Sequence, residues 1–285
     1  MTTVELVIEV DPDEPTCATV MVDATVTGVP YRFIVDTGAG TTTLVSDELT
    51  RSLPTAGHRT SAGLFATTTD VRATVPDFRL GELPARRVDV LVSGRDQEGA
   101  RNLLGMNVLG DHRCRFRFRD RRLTLEPSAT TTDGDHPLMI GPHGQPFVSL
   151  CWPDGTTARA LWDSGAGITV VDTTFRAAHP LLFDAVGETE GTDSTGTRRS
   201  TPTCTVAASS AGGFLLAAHL AAVLDLGPTN PADGPRTDVI LGYPALGQAD
   251  WDLDFPARRW SARRPVDAVR VPRADVAARG SRGAT

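Results

Sequence analysis

Two aspartates, Asp36 and Asp163, stand in the same short motif 127 residues apart. In each copy an apolar run leads to Asp, then to Thr or Ser, and then to Gly-Ala-Gly. The apolar run predicts a buried strand, and the glycines predict a tight turn after it. Each copy therefore carries one carboxylate into a packed interior, where a charge needs a partner. One Asp-Ser/Thr-Gly tripeptide is weak support for a site, whereas two matching copies favour one.

A pair of carboxyl groups can supply both activities that amide hydrolysis needs. Two carboxyls about 3 Å apart cannot both ionise and therefore share a proton. The ionised member takes a proton from an attacking water, and the protonated member donates to the carbonyl oxygen. Gly38 and Gly165 allow close backbone approach, and their N–H groups are placed to hold the carboxylates. The chain has no Gly-x-Ser-x-Gly motif, and its six His lack metal-ligand spacing.

Two other interpretations of the motifs remain open at this point. Asp36 and Asp163 are alternatively turn residues without a chemical role. A dinucleotide-binding fingerprint fits poorly, because it needs a glycine where Thr43 and Val170 stand and an α/β pattern that is missing.

The later part of each half also repeats, since Leu103–Gly110 (LLGMNVLG) matches Ile240–Gly247 (ILGYPALG). The repeat indicates a duplicated domain with about ten residues inserted in the second copy. We predict an N-terminal lobe over residues 1–127, a linker over 128–136 and a C-terminal lobe over 137–264. An Arg/Ala-rich, flexible tail is expected over 265–285.

Several local elements are predicted to position the two motifs. Strands are expected over Val4–Val10, Ala18–Val26, Tyr31–Val35, Phe147–Trp152 and Thr157–Trp162. Short helices follow each motif, one over Asp47–Leu53 capped by Ser46 and one over Thr173–Ala178 capped by Asp172. The Gly/Thr/Ser-rich segments 56–69 and 187–200 are either hairpins projecting over a cleft or ordinary surface loops.

With these motifs, the sequence resembles the retropepsin-like aspartic peptidases, in a tandem, single-chain form. The resemblance implies an all-β, bilobal acid-protease fold, with two homologous β-barrel-like lobes related by a pseudo-twofold axis through the Asp pair. It implies that Thr37 and Ser164 hydrogen-bond across that axis. It also implies that strands Leu103–Gly105 and Ile240–Gly242 pass each catalytic turn, and that the cleft takes an extended peptide with apolar side chains near the scissile bond.

Composition excludes several other classes of function. The net charge of -7 argues against a nucleic-acid partner, and no apolar run is long enough to span a membrane. The acidic N-terminus lacks the basic start of a signal peptide, so a cytoplasmic location is predicted. The four cysteines are then expected to be free, buried thiols rather than disulfides or zinc ligands. No metal or organic cofactor is expected.

Two strands that are equivalent in the repeat carry charges of opposite sign. Arg113, Arg115 and Arg117 alternate with apolar residues, and Asp250, Asp252 and Asp254 do the same. Alternation places each row on one strand face. The rows either pair the two lobes with each other or form two solvated faces that never meet. Tryptophans 162, 251 and 260 are predicted to be core rather than cleft residues.

The sequence therefore predicts an aspartic-type endopeptidase with Asp36 and Asp163 as the dyad and water as nucleophile. It would act as a monomer, a pseudo-dimer of lobes, on peptide or protein substrates. Because Ala39 and Ala166 supply no hydroxyl to the charged form, activity is expected at weakly acidic to neutral pH. The alternatives are a silent peptidase fold that binds peptides or partner proteins, and a β-barrel that binds small molecules.

Overall fold

The computed structural model describes residues 1–94, 100–128, 136–230 and 236–265. Only the two ends of the predicted linker and the first residue of the predicted tail fall within these ranges. The rest of both segments lies outside the described residues. The described chain is mostly strand and forms a bilobal all-β fold.

The first half contributes eleven strands and two short helices. They are β1 (Thr2–Glu5), β2 (Val7–Val10), β3 (Ala18–Val26), β4 (Val29–Val35), β5 (Thr43–Val45), α1 (Glu48–Ser52), β6 (Thr55–Ala62), β7 (Thr67–Arg79), β8 (Arg86–Ser93), β9 (Leu103–Leu104), α2 (Met106–Leu109), β10 (Arg113–Arg117) and β11 (Arg122–Glu126). Eight of these strands form a sheet in the order β2-β3-β4-β9-β5-β8-β7-β6. A further pairing of β3 with β7 joins distant strands of this sheet and gives it a barrel-like form.

The described part of the second half repeats this plan and adds a hairpin. Its elements are β12 (His136–Pro137), β13 (Met139–Ile140), β14 (Pro146–Cys151), β15 (Thr157–Trp162), β16 (Thr169–Asp172), α3 (Thr173–Ala178), a 3₁₀ helix (Pro180–Leu182), β17 (Phe183–Thr192), β18 (Arg198–Val206), β19 (Ser209–Ala211), β20 (Phe214–Leu216), β21 (His219–Leu224), a second 3₁₀ helix (Gly227–Thr229), β22 (Val239–Leu241), α4 (Tyr243–Leu246), β23 (Asp250–Asp254) and β24 (Arg259–Arg263). The sheet order is β17-β18-β21-β16-β22-β15-β14-β19-β20, with β13 on β14. The β19–β20 hairpin has no counterpart among the described residues of the first lobe and falls within the predicted insertion.

The tight turn before each motif follows from residues that adopt positive φ. Thr27 (φ 51°) and Gly28 (φ 83°) join β3 to β4, and Gly155 (φ 86°) lies in the turn from β14 to β15. Glycine occupies such positions without steric cost, so residues 27 and 28 close a two-residue hairpin, whereas β14 and β15 are joined by a longer turn over residues 152–156. The strand that delivers Asp36 consequently begins at Val29, two residues before the predicted Tyr31.

The structure corrects two predictions near the N-terminus. The single strand expected over Val4–Val10 is two strands, because the chain changes sheets at the fully buried Leu6. Strand β1 pairs with β11, whereas β2 pairs with β3. The first helix is capped by Asp47 rather than Ser46, since the Asp47 carboxylate accepts the Thr50 N–H at 2.8 Å. A carboxylate beside the positive helix end is a strong cap.

Strands from both lobes form a six-stranded sheet in the order β1-β11-β10-β23-β24-β12. At its centre β10 runs antiparallel to β23, and the register pairs Arg113 with Asp254, Arg115 with Asp252, and Arg117 with Asp250. The two charge rows therefore meet, as the first of the two alternatives predicted. We call these six residues the charge ladder.

Asp252 lies at the centre of the charge ladder. Its carboxylate lies 3.0 Å from Arg113 and 2.5 Å from Arg117, and Arg263 from β24 reaches it at 3.0 Å. Asp252 itself is only 4% exposed. Its central pairing with Arg115 joins two residues that are equivalent in the repeat. A twofold pairing of two N-terminal lobes would place Arg115 against Arg115, so the charges favour one lobe of each kind.

An aromatic cluster lies between the charge ladder and the second motif. Trp162, Trp251 and Trp260 are all buried, which confirms their prediction as core residues. The Trp162 ring lies 4.8 Å from that of Phe116 in the first lobe and 5.7 Å from that of Trp251, measured between ring centroids. The apolar core is thereby continuous between the lobes.

The four cysteines are free, and Cys17, Cys114 and Cys204 are buried as predicted, but Cys151 is exposed. Cys151 is the last residue of β14, and its side chain faces outward in a strand whose burial alternates toward that end. Segments 56–69 and 187–200 lie in the hairpins β6–β7 and β17–β18, so the hairpin alternative is correct for both.

Candidate active site

Each motif lies in the turn that follows a strand, and a second strand runs parallel to that strand. Strand β4 pairs with β9 and leads to Asp36, whose N–H donates to Leu104 O at 3.0 Å. Strand β15 pairs with β22 and leads to Asp163, whose N–H donates to Leu241 O at 3.1 Å. The passing strands that the resemblance implied are therefore present on both sides.

The two aspartates face each other across the junction of the lobes. The Gly38 N–H donates to Asp163 Oδ1 at 3.2 Å, although Gly38 belongs to the other turn. A Cβ atom added at Gly38 would lie 2.5 Å from Asp163 Oδ2, and one added at Gly165 would lie 2.6 Å from the carboxyl carbon of Asp36. Each glycine thus packs against the opposite carboxyl group, and a larger residue at either position would push the turns apart.

Backbone N–H groups also hold each carboxyl within its own turn. Ala39 N–H donates to Asp36 Oδ1 at 2.8 Å, and Gly165 N–H donates to Asp163 Oδ1 at 2.9 Å. Both carboxyls therefore have fixed orientations, and both are partly exposed on the cleft side. Fixed carboxyls beside solvent can bind and orient a water molecule.

The hydroxyl residues after each aspartate bond across the lobe junction. Thr37 Oγ1 donates to Trp162 O at 2.7 Å, and Ser164 Oγ donates to Val35 O at 2.6 Å. The Ser164 N–H donates to Thr37 Oγ1 at 3.1 Å. Both hydroxyl residues are buried. These bonds join the two turns so that neither aspartate can shift without the other.

The environment raises the pKa of both carboxyls. Burial raises the pKa of Asp36 to about 8, with a further contribution from the charge of Asp163 and opposition from the N–H groups of Ala39 and Gly38. Burial also raises the pKa of Asp163, against the N–H groups of Gly165, Gly38 and Ala166. A raised pKa in both members fits a pair that holds one proton jointly at neutral pH.

Glycines directly after the passing strands allow the turns to sit this close. A Cβ atom added at Gly105 would lie 2.6 Å from the carbonyl carbon of Thr41, and one added at Gly242 would collide with Ile168 O. Immediately after these glycines, the Met106 N–H donates to Ala39 O at 2.8 Å and the Tyr243 N–H donates to Ala166 O at 2.9 Å. The repeated apolar-apolar-Gly element thus holds each motif from behind.

Two protein-family models match the chain in tandem. A gag-polyprotein putative aspartyl protease model matches residues 22–111, and an aspartyl protease model matches residues 148–245. Each match contains one of the two Asp turns and its passing strand. The chain belongs to the retropepsin-like aspartyl proteases. A comparison with curated proteins gave no match.

In this retropepsin-like chain, the first of the two hairpins considered from the sequence contacts the other lobe, and the sequence did not predict that contact. Leu64, at the tip of the β6–β7 hairpin, packs against a small apolar cluster of Val170, Leu226 and Ile240 in the other lobe. Val170 lies on β16, directly after the second motif, and Ile240 lies on the neighbouring strand β22. The β6–β7 hairpin therefore reaches across to the lobe that carries Asp163. The sequence signals were the Gly/Thr/Ser-rich composition of segment 56–69 and the apolar pair Leu64-Phe65 within it.

Two further features bear on ligands of the retropepsin-like chain. Within the described ranges, no group of three or more His, Cys, Asp or Glu side chains is arranged to hold a metal ion. In the same part of the chain, no helix has the length and apolar character needed to cross a bilayer.

Proposed function

We propose that this chain is an aspartic endopeptidase in which Asp36 and Asp163 share a proton and activate a water molecule. The observation that carries the proposal is the crossed packing of Gly38 on Asp163 and of Gly165 on Asp36, which brings the two carboxyls together. The family assignment supports a protease-type function.

In the proposed reaction the dyad acts as both base and acid. The ionised carboxylate accepts a proton from the bound water while the water oxygen attacks the peptide carbonyl carbon. The protonated carboxyl donates its proton to the carbonyl oxygen, and the tetrahedral diol forms. Collapse of the diol breaks the C–N bond, and a carboxyl proton passes to the leaving nitrogen. Because the two groups titrate as a pair, either one serves in either role.

The roles proposed for Thr37, Gly38, Ser164 and Gly165 are to keep the dyad aligned. Their hydrogen bonds and close packing fix both carboxyls before substrate binds, so little reorganisation accompanies the reaction. The apolar cluster around Val170 and Ile240 supports a preference for apolar side chains near the scissile bond. The substrate we propose is an extended peptide or an unfolded protein segment, and the working form is a monomer, since one chain supplies both aspartates.

The pH range of activity follows from the raised pKa of the dyad. Burial raises the pKa of Asp36 to about 8, so one proton stays on the pair well above the pH at which a free Asp is ionised. We therefore propose activity at weakly acidic to neutral pH. Burial, rather than the missing hydroxyls at Ala39 and Ala166, is the main cause of the raised pKa. An activity optimum below about pH 3.5 would contradict this proposal.

Cleavage of fluorescein-labelled casein tests the function. We expect cleavage by the wild-type chain, inhibition by pepstatin, and a loss of at least about a thousandfold in Asp36→Asn and in Asp163→Asn. Asp89→Asn is the control, because it removes one carboxylate of the first lobe while keeping an acceptor for Thr74. Cleavage that survives either dyad substitution would refute the mechanism.

The second candidate is a peptide-binding module without turnover. The contact of Leu64 with the opposite lobe favours it, since a covered cleft can silence an intact dyad. Casein binding without cleavage by the wild-type chain would select this candidate over the peptidase.

A further inference from the structure

The tips of the two long hairpins meet each other above the cleft. Residues 63–66 form the tip of the β6–β7 hairpin in the first lobe, and residues 193–197 form the tip of the β17–β18 hairpin in the second lobe. The Phe65 N–H donates to Asp193 Oδ2 at 2.7 Å. A side chain of one lobe thus binds the backbone of the other at a point far from both aspartates in sequence.

The Asp193 carboxylate is already organised by its own turn. Its Oδ1 atom accepts the Thr195 N–H at 3.0 Å, the Thr195 hydroxyl at 2.6 Å and the Thr197 N–H at 3.2 Å. These bonds use one oxygen and direct the other toward the first lobe. Because the carboxylate is fixed before the tips meet, the bond to Phe65 costs little side-chain entropy.

Three other residues keep the tips at the same place. A Cβ atom added at Gly63 would collide with Asp193 Oδ2, so glycine is required for this approach. Arg199 Nη2 donates to Phe65 O at 3.4 Å, and its guanidinium carbon lies 5.7 Å from the centre of the Phe65 ring. Leu64, between Gly63 and Phe65, enters the apolar cluster beside the second motif.

The middle of the first hairpin is fixed as well. Arg59 Nη1 donates to Thr41 Oγ1 at 3.3 Å, which connects β6 to the turn that carries Asp36. The two hairpins therefore lie over the dyad. The first hairpin contacts both lobes, and the tips of the two hairpins are bonded to each other.

We propose that Asp193 is a positioning residue that joins the two hairpins into a single lid and thereby retains an extended peptide in the cleft. This rests on the proposed function. Asp193 contacts neither the dyad nor the scissile bond, and it acts through Leu64 and Phe65, which it holds over the cleft. Its loss should weaken retention of the peptide and leave the chemical step nearly unchanged.

We call the hydrogen bond from the Phe65 N–H to Asp193 Oδ2 the latch. The substitution Asp193→Asn removes the latch and keeps the hydrogen bonds within the turn 193–197. Asparagine has one oxygen, which the three donors of its own turn occupy, so its NH₂ group faces the Phe65 N–H and the hydrogen bond is lost. Gly63→Ala disturbs the same contact from the other lobe. Asp154→Asn is the matched control, because Asp154 accepts the Thr156 N–H at 2.8 Å in the β14–β15 turn in the same way.

Two measurements on the full chain are needed, with thermal unfolding as a check on the fold. Hydrogen exchange followed by mass spectrometry reports opening at residues 62–67. Casein cleavage gives kcat and KM separately. In Asp193→Asn and Gly63→Ala we expect exchange of this segment to be about ten- to a hundredfold faster, since a charge-assisted hydrogen bond is lost. We expect KM to rise about tenfold with kcat within about twofold, and Asp154→Asn to match the wild type.

The outcomes distinguish this inference from the proposed function. Unchanged exchange in Asp193→Asn would overturn the latch, and faster exchange with unchanged KM would overturn its positioning role, while cleavage itself stands. If the wild-type chain binds casein without cleaving it, the affinity for casein replaces KM and should fall about tenfold. If it neither cleaves nor binds casein, the proposed function fails and the positioning role fails with it, even where exchange shows the latch.

Discussion

Replacing Asp252 with Asn should destabilise the fold more than any exposed charge change. Three guanidinium groups lie within 3.0 Å of its carboxylate, and Asp252 is 4% exposed while Arg113 is 8% exposed. Removing one partner from a buried ion pair leaves an uncompensated charge and costs about 3–5 kcal/mol. Asparagine keeps an acceptor, so we expect the free energy of unfolding to fall by about 3 kcal/mol.

The control is Asp23→Asn, which breaks an ion pair of similar length at the surface. Arg32 Nε lies 2.8 Å from Asp23 Oδ1, but the two side chains are 52% and 60% exposed. Exposed pairs contribute about 0–1 kcal/mol. Both variants are unfolded with urea at pH 7, in low and high salt. Salt should abolish the small effect of Asp23→Asn and leave that of Asp252→Asn, because buried pairs are screened less.

The effect of Asp252→Asn should also depend on pH. Burial acts to raise the pKa of Asp252, but the hydrogen bond from Arg117 and the charges of Arg117, Arg263 and Arg113 outweigh it, so the pKa is lowered. A group whose pKa is lower in the folded state stabilises it above the unfolded pKa of about 3.9 and loses that contribution as the pH falls further. The gap between wild type and Asp252→Asn should therefore close below about pH 4. The reasoning fails if Asp252→Asn costs no more than Asp23→Asn at pH 7.

Three further outcomes follow from the site. Asp36→Asn should stabilise the chain at pH 7, because burial raises the pKa of Asp36 to about 8. The wild type therefore loses stability as the pH rises from about 4 through that value. The melting temperatures of the wild type and of Asp36→Asn should converge at acidic pH. Ser164→Ala should cost about 1–3 kcal/mol in urea unfolding, because Val35 O loses a buried donor, and a neutral result would contradict it. Gly242→Ala should abolish casein cleavage by displacing the second turn, whereas Gly187→Ala, which has no atom within 4 Å of the added Cβ, should leave it intact.

Motifs that depend on local chain geometry were predictable from the sequence. The strand ending at Trp162, the helix over Thr173–Ala178 and its Asp172 cap appear at the predicted residues. Strand length, capping and turn formation depend on neighbouring residues, so a single sequence contains the needed information. The change of sheet at Leu6 was not predictable, since β2 pairs with the next strand, β3, whereas β1 pairs with β11 at the far end of the first lobe.

The sequence by itself determined that two motifs occur twice in the same order, that each copy carries an Asp on a glycine turn, and that opposite charges stand on strands at equivalent positions of the repeat. These properties follow directly from the order and spacing of the residues. Only the tertiary structure decided that the Arg row and the Asp row of the charge ladder pair, that Gly38 lies against Asp163, and that Asp193 reaches Phe65. Each of these contacts joins residues more than a hundred positions apart, and such contacts arise from the packing of whole lobes rather than from any local preference of the chain.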